Sequence, residues 1–429
     1  MRKILLMTAA VMSAVMMIHP NEVRGSTYAY SIGVNHGTEN EGYDGDFTPN
    51  VKYAKSAYAT ISNMVSSQLL QPTTTVMCSN NPNGNRIIAS KIVFLNGHCT
   101  FAKMTFDHNN LGNGFDTGVT NSYDGNGCAG LLSVDMSTCK VISFVGCQSG
   151  NTDYSTNLVR TAVAQGAKVA VGFKFDITSR SPAGQNWLKK YNDALADGKT
   201  VSESIRAAVD SYPNIDMSAC AILAGKPTQT VATAVNSAVT YEVGTGSQET
   251  YTANINVASI PDVIKGEADD SKYSAVTDKI SQVDENFEVS DYKVTVNRYD
   301  ADANSGVMIF VYYMNGTIET NRAYICTIKN NVVTEIATPA TDTLSATSMT
   351  REVVPTKAQL CSLVADHEAE NSVAEMQSEE IVEGNTTEGY TTDGYVYDYY
   401  TNTLIYERKT FYETEDGVIC DQYYSEELY

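Results

Sequence analysis

Two short apolar runs in this chain each end in a residue able to do acyl-transfer chemistry. Lys91–Leu95 leads into Asn96, Gly97 and His98, and Val141–Val145 leads into Gly146 and Cys147. A thiol attacks a carbonyl only as the thiolate, and a histidine within hydrogen-bond reach is the usual group that takes its proton. His98 and Cys147 stand 49 positions apart, so they can cooperate only if the fold brings the two run ends together. Each residue also has a plainer reading. A cysteine in an apolar run packs as a small hydrophobe, and a histidine at a strand end is an ordinary hydrogen-bonded polar group. The His36-Gly37 pair is the rival for the base, 111 positions before Cys147, and otherwise a residue lining the cleft.

The elements that must position this pair read as a layered α/β domain over residues 26–228. Tyr28–Val34 alternates like a strand running into a loop, and Val51–Met64 has helical spacing. Val76-Met77 is a short β-like run, and Arg86–Ser90 a short helix. Lys91–Leu95 and Val141–Val145 are compact enough for parallel strands buried on both faces. After Cys147 the alternation is regular: helix Asn157–Gln165, strand Lys168–Phe173, helices Pro182–Ala196 and Val201–Ser211, strand Ala219–Ala224. Ser181 before Pro182 marks one helix start, and Thr200 with Glu203 forms a capping-box spacing at the other. Strands alternating with helices predict a mostly parallel sheet covered on both faces. Functional groups of such sheets collect just beyond the carboxyl ends of the strands, where His98 and Cys147 fall.

The ordered series of motifs resembles the caspase-like superfamily, which includes caspases, metacaspases, clostripain-type proteases and CHAT domains. An apolar strand, Gly97-His98, a spacer close to the family's roughly 50 residues, a second apolar strand and Cys147-Gln148-Ser149-Gly150 carry the likeness. Leu158–Ala164, Gly166-Ala167, Val169–Gly172, Trp187–Gly198, Ser202–Ala208 and Leu223–Pro227 extend it over about 200 residues in the order of CHAT-type proteins. The resemblance implies a caspase-like fold and a cysteine endopeptidase acting on a protein or peptide. Cys147 would be its nucleophile and His98 its base, with the backbone N–H groups of Cys99 and Cys147 as oxyanion hole. Two positions depart from the pattern: Cys99 stands where the family has Gly, and Gly146 where it has Ala or Asp. Asp176, beyond the strand Lys168–Phe173, would favour a basic substrate residue, and Lys174 the reverse. The alternative function is a catalytically weakened caspase-like protein serving as a secreted or surface binding module, and an oxidised Cys99–Cys147 pair would be an off state.

Met1-Arg2-Lys3 followed by the apolar run Ile4–Ile18 reads as a signal peptide over residues 1–25, since bilayer spans need about 20 apolar residues. The chain is therefore expected to be secreted or extracytoplasmic. A net charge of -21 disfavours nucleic acid as a partner. Nine cysteines, odd in number and without C-x-x-C, do not make a disulfide framework or a structural zinc site. No cofactor is expected. Asp44-Gly45-Asp46 and Asp124-Gly125-Asn126 read as turns, with calcium the alternative because some members of the resembled superfamily need it.

Residues 229–260 form a low-charge linker, and 261–429 an α+β accessory region divisible into two small modules. Helices are expected at Ser271–Val283 and Thr356–Ala369, and strands at Tyr292–Tyr299, Val307–Asn315 and Arg322–Lys329, with turns at Asn315-Gly316 and Asn330-Asn331. A Tyr-rich run, Tyr395–Tyr424, closes the chain, and from Asp366 onward 17 acidic residues face two basic ones. Such a region would bind either the peptidase domain or a surface partner.

Overall fold

The computed structural model describes residues 28–35, 45–70, 72, 87–106, 118–123, 128–231, 248–339, 355–375, 387–399, 401–414 and 418–429. The expected signal peptide, His36, Val76-Met77, Asp44 and Asp124-Gly125-Asn126 lie outside the described residues. The chain is an α/β protein with a large mixed sheet flanked by helices.

At its centre, β1 (Tyr28–Gly33), β2 (Val65–Leu70), β3 (Ile92–Asn96), β8 (Val141–Val145) and β9 (Val169–Phe173) run parallel in the order β2-β1-β3-β8-β9. β10 (Ala221–Gly225) closes this part antiparallel to β9. Every residue of β3, β8 and β9 is buried, as the continuous apolar runs require. Alternation along the strands splits the packing into two layers. Ile92, Phe94, Val141, Val145 and Cys147 face α1 (Thr48–Ala59), α3 (Pro182–Ala196) and α4 (Val201–Ser211). Val93, Leu95, Ile142 and Phe144 face α2 (Leu158–Ala164) on the other side. The caps form as the sequence suggests: Ser181 accepts from the Gly184 N–H, and Thr200 and Glu203 close a capping box.

The edge strand β2 escapes the sequence reading. Its residues, Val-Ser-Ser-Gln-Leu-Leu, are exposed or half-buried and show no clean alternation. Backbone pairing with β1 rather than a buried face holds it in place. Beyond β3, a small layer forms from β4 (His98–Cys99), β5 (Lys103–Thr105), β6 (Gly118–Thr120) and β7 (Cys128–Gly130). A short helix, α5 (Asp216–Cys220), leads into β10.

The second half builds an antiparallel run from β11 (Thr250–Asn256), β12 (Val263–Glu267), β13 (Tyr292–Asp300), β14 (Ser305–Met314), β15 (Ile318–Lys329) and β16 (Val332–Ala337), ordered β12-β13-β14-β15-β16-β11. Asn315, Gly316, Asn330 and Asn331 all have positive φ, as tight hairpin turns demand, so both expected turns form. One face of this run buries Met308, Phe310, Tyr324 and Cys326 with Val276 and Ile280 of α6 (Ser274–Val283). The other face places Val307, Ile309, Val311 and Ile325 in the same apolar cluster as Trp187, Ile205 and Leu223 of the first half. Burying each such side chain contributes on the order of 1.5–3 kcal/mol. β14 is buried on both faces, which explains its near-continuous apolar sequence where alternation was expected.

After α7 (Lys357–Glu375), the Tyr-rich run forms a three-stranded antiparallel meander of β17 (Thr387–Asp398), β18 (Thr403–Glu413) and β19 (Ile419–Glu427). β17 joins β15 in parallel over Ile318–Thr320. β19 joins β4 at Ile419 and Cys99. The C-terminal strands therefore return to the His98 end of the first sheet. No described helix is long and apolar enough to cross a membrane.

Candidate active site

The register of β3 and β8 sets the geometry. Asn96 pairs with Val145, and the next N–H, that of Gly97, donates to the Val145 carbonyl at 3.2 Å. His98 lies two residues beyond the first strand and Cys147 two beyond the second, at the same end of adjacent parallel strands. Both are almost fully enclosed, at 1% and 2% exposure. The close approach of the two chain segments depends on glycine. A Cβ at Gly97 would lie 2.6 Å from the Thr105 carbonyl oxygen, and one at Gly146 would lie 2.5 Å from both Cys99 Cβ and the Gly97 carbonyl oxygen. The side chain at Cys99 thus occupies space that Gly146 leaves open, so the two departures from the caspase-like pattern fit each other.

Cys147 opens a tight turn. Gln148 has φ of +54°, and its N–H donates to the Phe175 carbonyl at 3.0 Å. Ser149 Oγ donates to the Phe144 carbonyl at 2.8 Å and accepts from the Phe173 N–H at 3.0 Å, tying β8 to β9 behind Cys147. The sulfur of Cys147 is bracketed by Ile177, accepting from its N–H at 3.5 Å and donating to its carbonyl at 3.6 Å.

The segment 176–181 that forms the far wall is fixed by residues the sequence reading did not single out. Asn96 Nδ2 donates to the Val145 carbonyl at 2.8 Å and to Ser179 Oγ at 3.0 Å. Asn50 Nδ2 donates to Asn96 Oδ1 at 2.8 Å and to the Ser179 carbonyl at 2.9 Å. Asp216 accepts from the N–H and hydroxyl of Thr178 at 3.0 and 2.8 Å. A buried amide with all these partners is worth more as a positioning device than as a solvent-exposed polar group. Its only sequence signal was an Asn closing an otherwise apolar run.

Asp176 stands beside the Cys147 turn, with Gln148 donating to one carboxylate oxygen at 3.0 Å and the Tyr390 hydroxyl to the other at 2.7 Å. Burial pushes its carboxyl pKa up, and those two hydrogen bonds oppose the rise. Lys174 instead lies over the Phe175 ring, 5.1 Å from its centre. His98, Cys99, Cys147 and Asp176 are therefore brought into one region. Cys99 and Cys147 are not disulfide-bonded, and Cys99 packs in the opposite core layer with its thiol donating to the Thr100 carbonyl at 3.0 Å.

The C-terminal meander supplies the remaining groups. Asp421 of β19 places Oδ1 3.6 Å from His98 Nδ1 and Oδ2 3.2 Å from Arg180 Nη2, and Arg180 also donates to the Asp421 backbone carbonyl. The Phe47 ring stands edge-on to His98 at 4.9 Å and under the Arg180 guanidinium at 5.2 Å. Lys409 of β18 lies 3.9 Å from Asp216. In these surroundings the Cys147 thiol is pushed well above its ordinary value, first by burial and then by the Asp176 and Asp421 carboxylates. Burial raises the Cys99 thiol likewise. A buried thiol facing two carboxylates stays protonated at neutral pH.

Among the described residues, no group of three or more His, Cys, Asp or Glu side chains is placed to hold a metal ion. Asp46 accepts from the Thr48 N–H at 2.8 Å at the start of α1. No protein-family model matches the chain, and no curated protein matches it in sequence.

Proposed function

We propose that the chain is an exported, caspase-like cysteine endopeptidase whose dyad is His98 and Cys147. The observation that carries this reading is the parallel register of β3 and β8, which delivers a histidine and a cysteine to the same strand ends from 49 residues apart. In the reaction, the Cys147 proton passes to His98 and the thiolate attacks the scissile carbonyl. Collapse of the tetrahedral intermediate breaks the C–N bond as His98 returns the proton to the departing amine. Water, deprotonated by His98, then hydrolyses the thioester and restores the thiol. The backbone N–H groups of Cys99 and Cys147 are the proposed donors to the oxyanion. Ser149, Asn96 and the 176–181 segment hold these groups rather than react.

A second reading, a binding module that retains the fold with weakened catalysis, is favoured by one observation: Cys147 is enclosed and its thiol pKa is raised. A peptide-based electrophilic probe separates the two. Labelling of Cys147, its loss in Cys147→Ala and in His98→Ala, and cleavage of a peptide library by the unmodified protein are expected. A protein that neither labels at Cys147 nor cleaves any peptide, even after mild proteolytic opening, would leave the binding module standing. N-terminal sequencing of secreted protein tests export.

A further inference from the structure

We infer that the β17–β19 meander is an inhibitor held in cis, closed over His98 and Cys147 and latched by Asp421. The inference rests on the peptidase reading of the cleft, but access to the thiol can be measured apart from it.

Three kinds of contact carry it. The backbone of β19 pairs with β4, the two-residue strand that begins with His98, at Ile419 and Cys99. Adding an extended segment to a sheet edge is a common way for a cleft to take a peptide, so β19 lies where a chain entering the site would compete with it. The latch is ionic. Asp421, with its side chain only 4% exposed, reaches both the proposed base and Arg180. Gly45 makes room for that arginine: its φ is +114°, and a Cβ there would fall 2.1 Å from Arg180 Nη1. The rim is sealed by the hydrogen bond from Tyr390 to Asp176 and by Lys409 beside Asp216. β17 and β19 thus touch the 176–181 wall and the dyad, and β18 touches Asp216, which holds Thr178 of that wall.

The attachment is also of the kind that can release. β13–β15 share an extended apolar cluster with the first half, whereas among the described residues Phe411 is the meander's only buried contribution to that cluster, with Ile419 packed at its edge. The meander's ladder to β15 covers Ile318–Thr320 opposite Tyr395–Tyr397, where Tyr395, Tyr397 and Leu404 pack with Met314, Ile318 and Leu360, so this end is the anchor about which the β19 end can lift. Loss of the polar latch would shift a two-state equilibrium toward the open form without dismantling the core.

The test uses the full chain. Asp421→Ala and Asp421→Asn should speed iodoacetamide alkylation of Cys147 by about tenfold or more, the effect of losing one charge-assisted contact. The thermal midpoint reports whether each variant is folded. As a second variant, Ile419→Cys places a thiol directly opposite native Cys99, a position suited to a cross-strand disulfide. Its oxidation should suppress Cys147 alkylation, and reduction should restore it. Unchanged alkylation in folded Asp421 variants, or rapid alkylation of the oxidised Ile419→Cys protein, overturns the inference. Faster alkylation without peptide cleavage would instead uphold the cover and sink the peptidase reading.

Discussion

The carboxylate of Asp421 stands 3.6 Å from Nδ1 of His98, joining the last strand of the chain to the histidine proposed as the base. At that distance it is a close polar contact rather than a direct hydrogen bond. In catalytic triads a carboxylate orients the histidine, but Asp421 also pairs with Arg180 and belongs to a strand that closes the cleft. One residue is thus placed to steady the imidazole and to exclude substrate from it. Its two carboxylate oxygens divide between these partners, so any movement of β19 breaks both contacts together.

His98→Ala should lower the turnover of any peptidase activity by roughly 10²–10⁴-fold, the usual contribution of a positioned acid–base group. Its effect on KM should be small, because His98 moves protons in the proposed reaction and does not anchor the peptide. Steady-state kinetics on a cleaved peptide checks this. A drop in kcat/KM confined to KM would count against the assignment.

Gly146→Ala should destabilise the protein by about 1–3 kcal/mol, the range for overpacking a closed core. The added Cβ would meet both Cys99 Cβ and the Gly97 carbonyl oxygen. Cys99→Gly removes the first obstacle but not the second, and on its own leaves a void in a fully buried site. The pair should therefore be non-additive, with the double variant more stable than the sum of the two losses. Urea denaturation of the four proteins measures the coupling, and strict additivity would contradict the packing described.

Much of the first half was legible because its elements carry redundant signals. Pro182–Ala196 has an N-cap serine, a proline at its first position and a buried stripe, and both its ends fall where the sequence puts them. β3 and β8 are short apolar runs whose adjacency followed from parallel-sheet logic. The site was less legible. Asn50, Ser179, Arg180 and Asp216 matter through contacts between distant segments, and nothing local to them distinguishes such residues from ordinary polar loop positions. Asp421 was one of 17 acidic residues after position 365, in a region expected to bind the peptidase domain or a surface partner, and nothing in the composition marked out any single carboxylate. Its role comes from the β19–β4 pairing, a contact of very long sequence separation that periodicity cannot reveal.

Stability should fall as pH rises above about 9. Burial raises the thiols of Cys139 and Cys326 to about 12. Unfolding exposes them to water, where they ionise near 9. Below that pH both states hold their protons and the thiols add no pH dependence. Between 9 and 12 the unfolded state has lost protons that the native state keeps, so unfolding is favoured by about 1.4 kcal/mol per pH unit for each thiol. The contribution is present in full below the unfolded value and is used up by the time pH reaches the folded value. Urea midpoints at pH 8 and pH 10 should differ accordingly. Cys326→Ala should flatten the slope, and an unchanged slope in that variant would assign the effect to other groups.

Cutting the chain after residue 230 should yield an insoluble or molten first half rather than an active core. Val307, Ile309, Val311, Tyr313, Ala323 and Ile325 pack in one cluster with Trp187, Leu195, Ile205 and Leu223, and removing the second half strips that cover. The ladder between β10 and β13 at Leu223 and Asp300, and the hydrogen bond from Asn297 to the Ser218 carbonyl at 2.8 Å, would be lost with it. At about 25 cal/mol per Å², re-exposing several large side chains costs an amount comparable with the whole net stability of a domain. Co-expression with residues 248–429 should restore solubility, because it returns the missing face without needing a covalent link. Soluble yield, dye binding to exposed apolar surface and the thermal midpoint are the measurements. A soluble, cooperatively melting fragment would show that the first sheet is self-sufficient and that the shared cluster is an interface between separable domains.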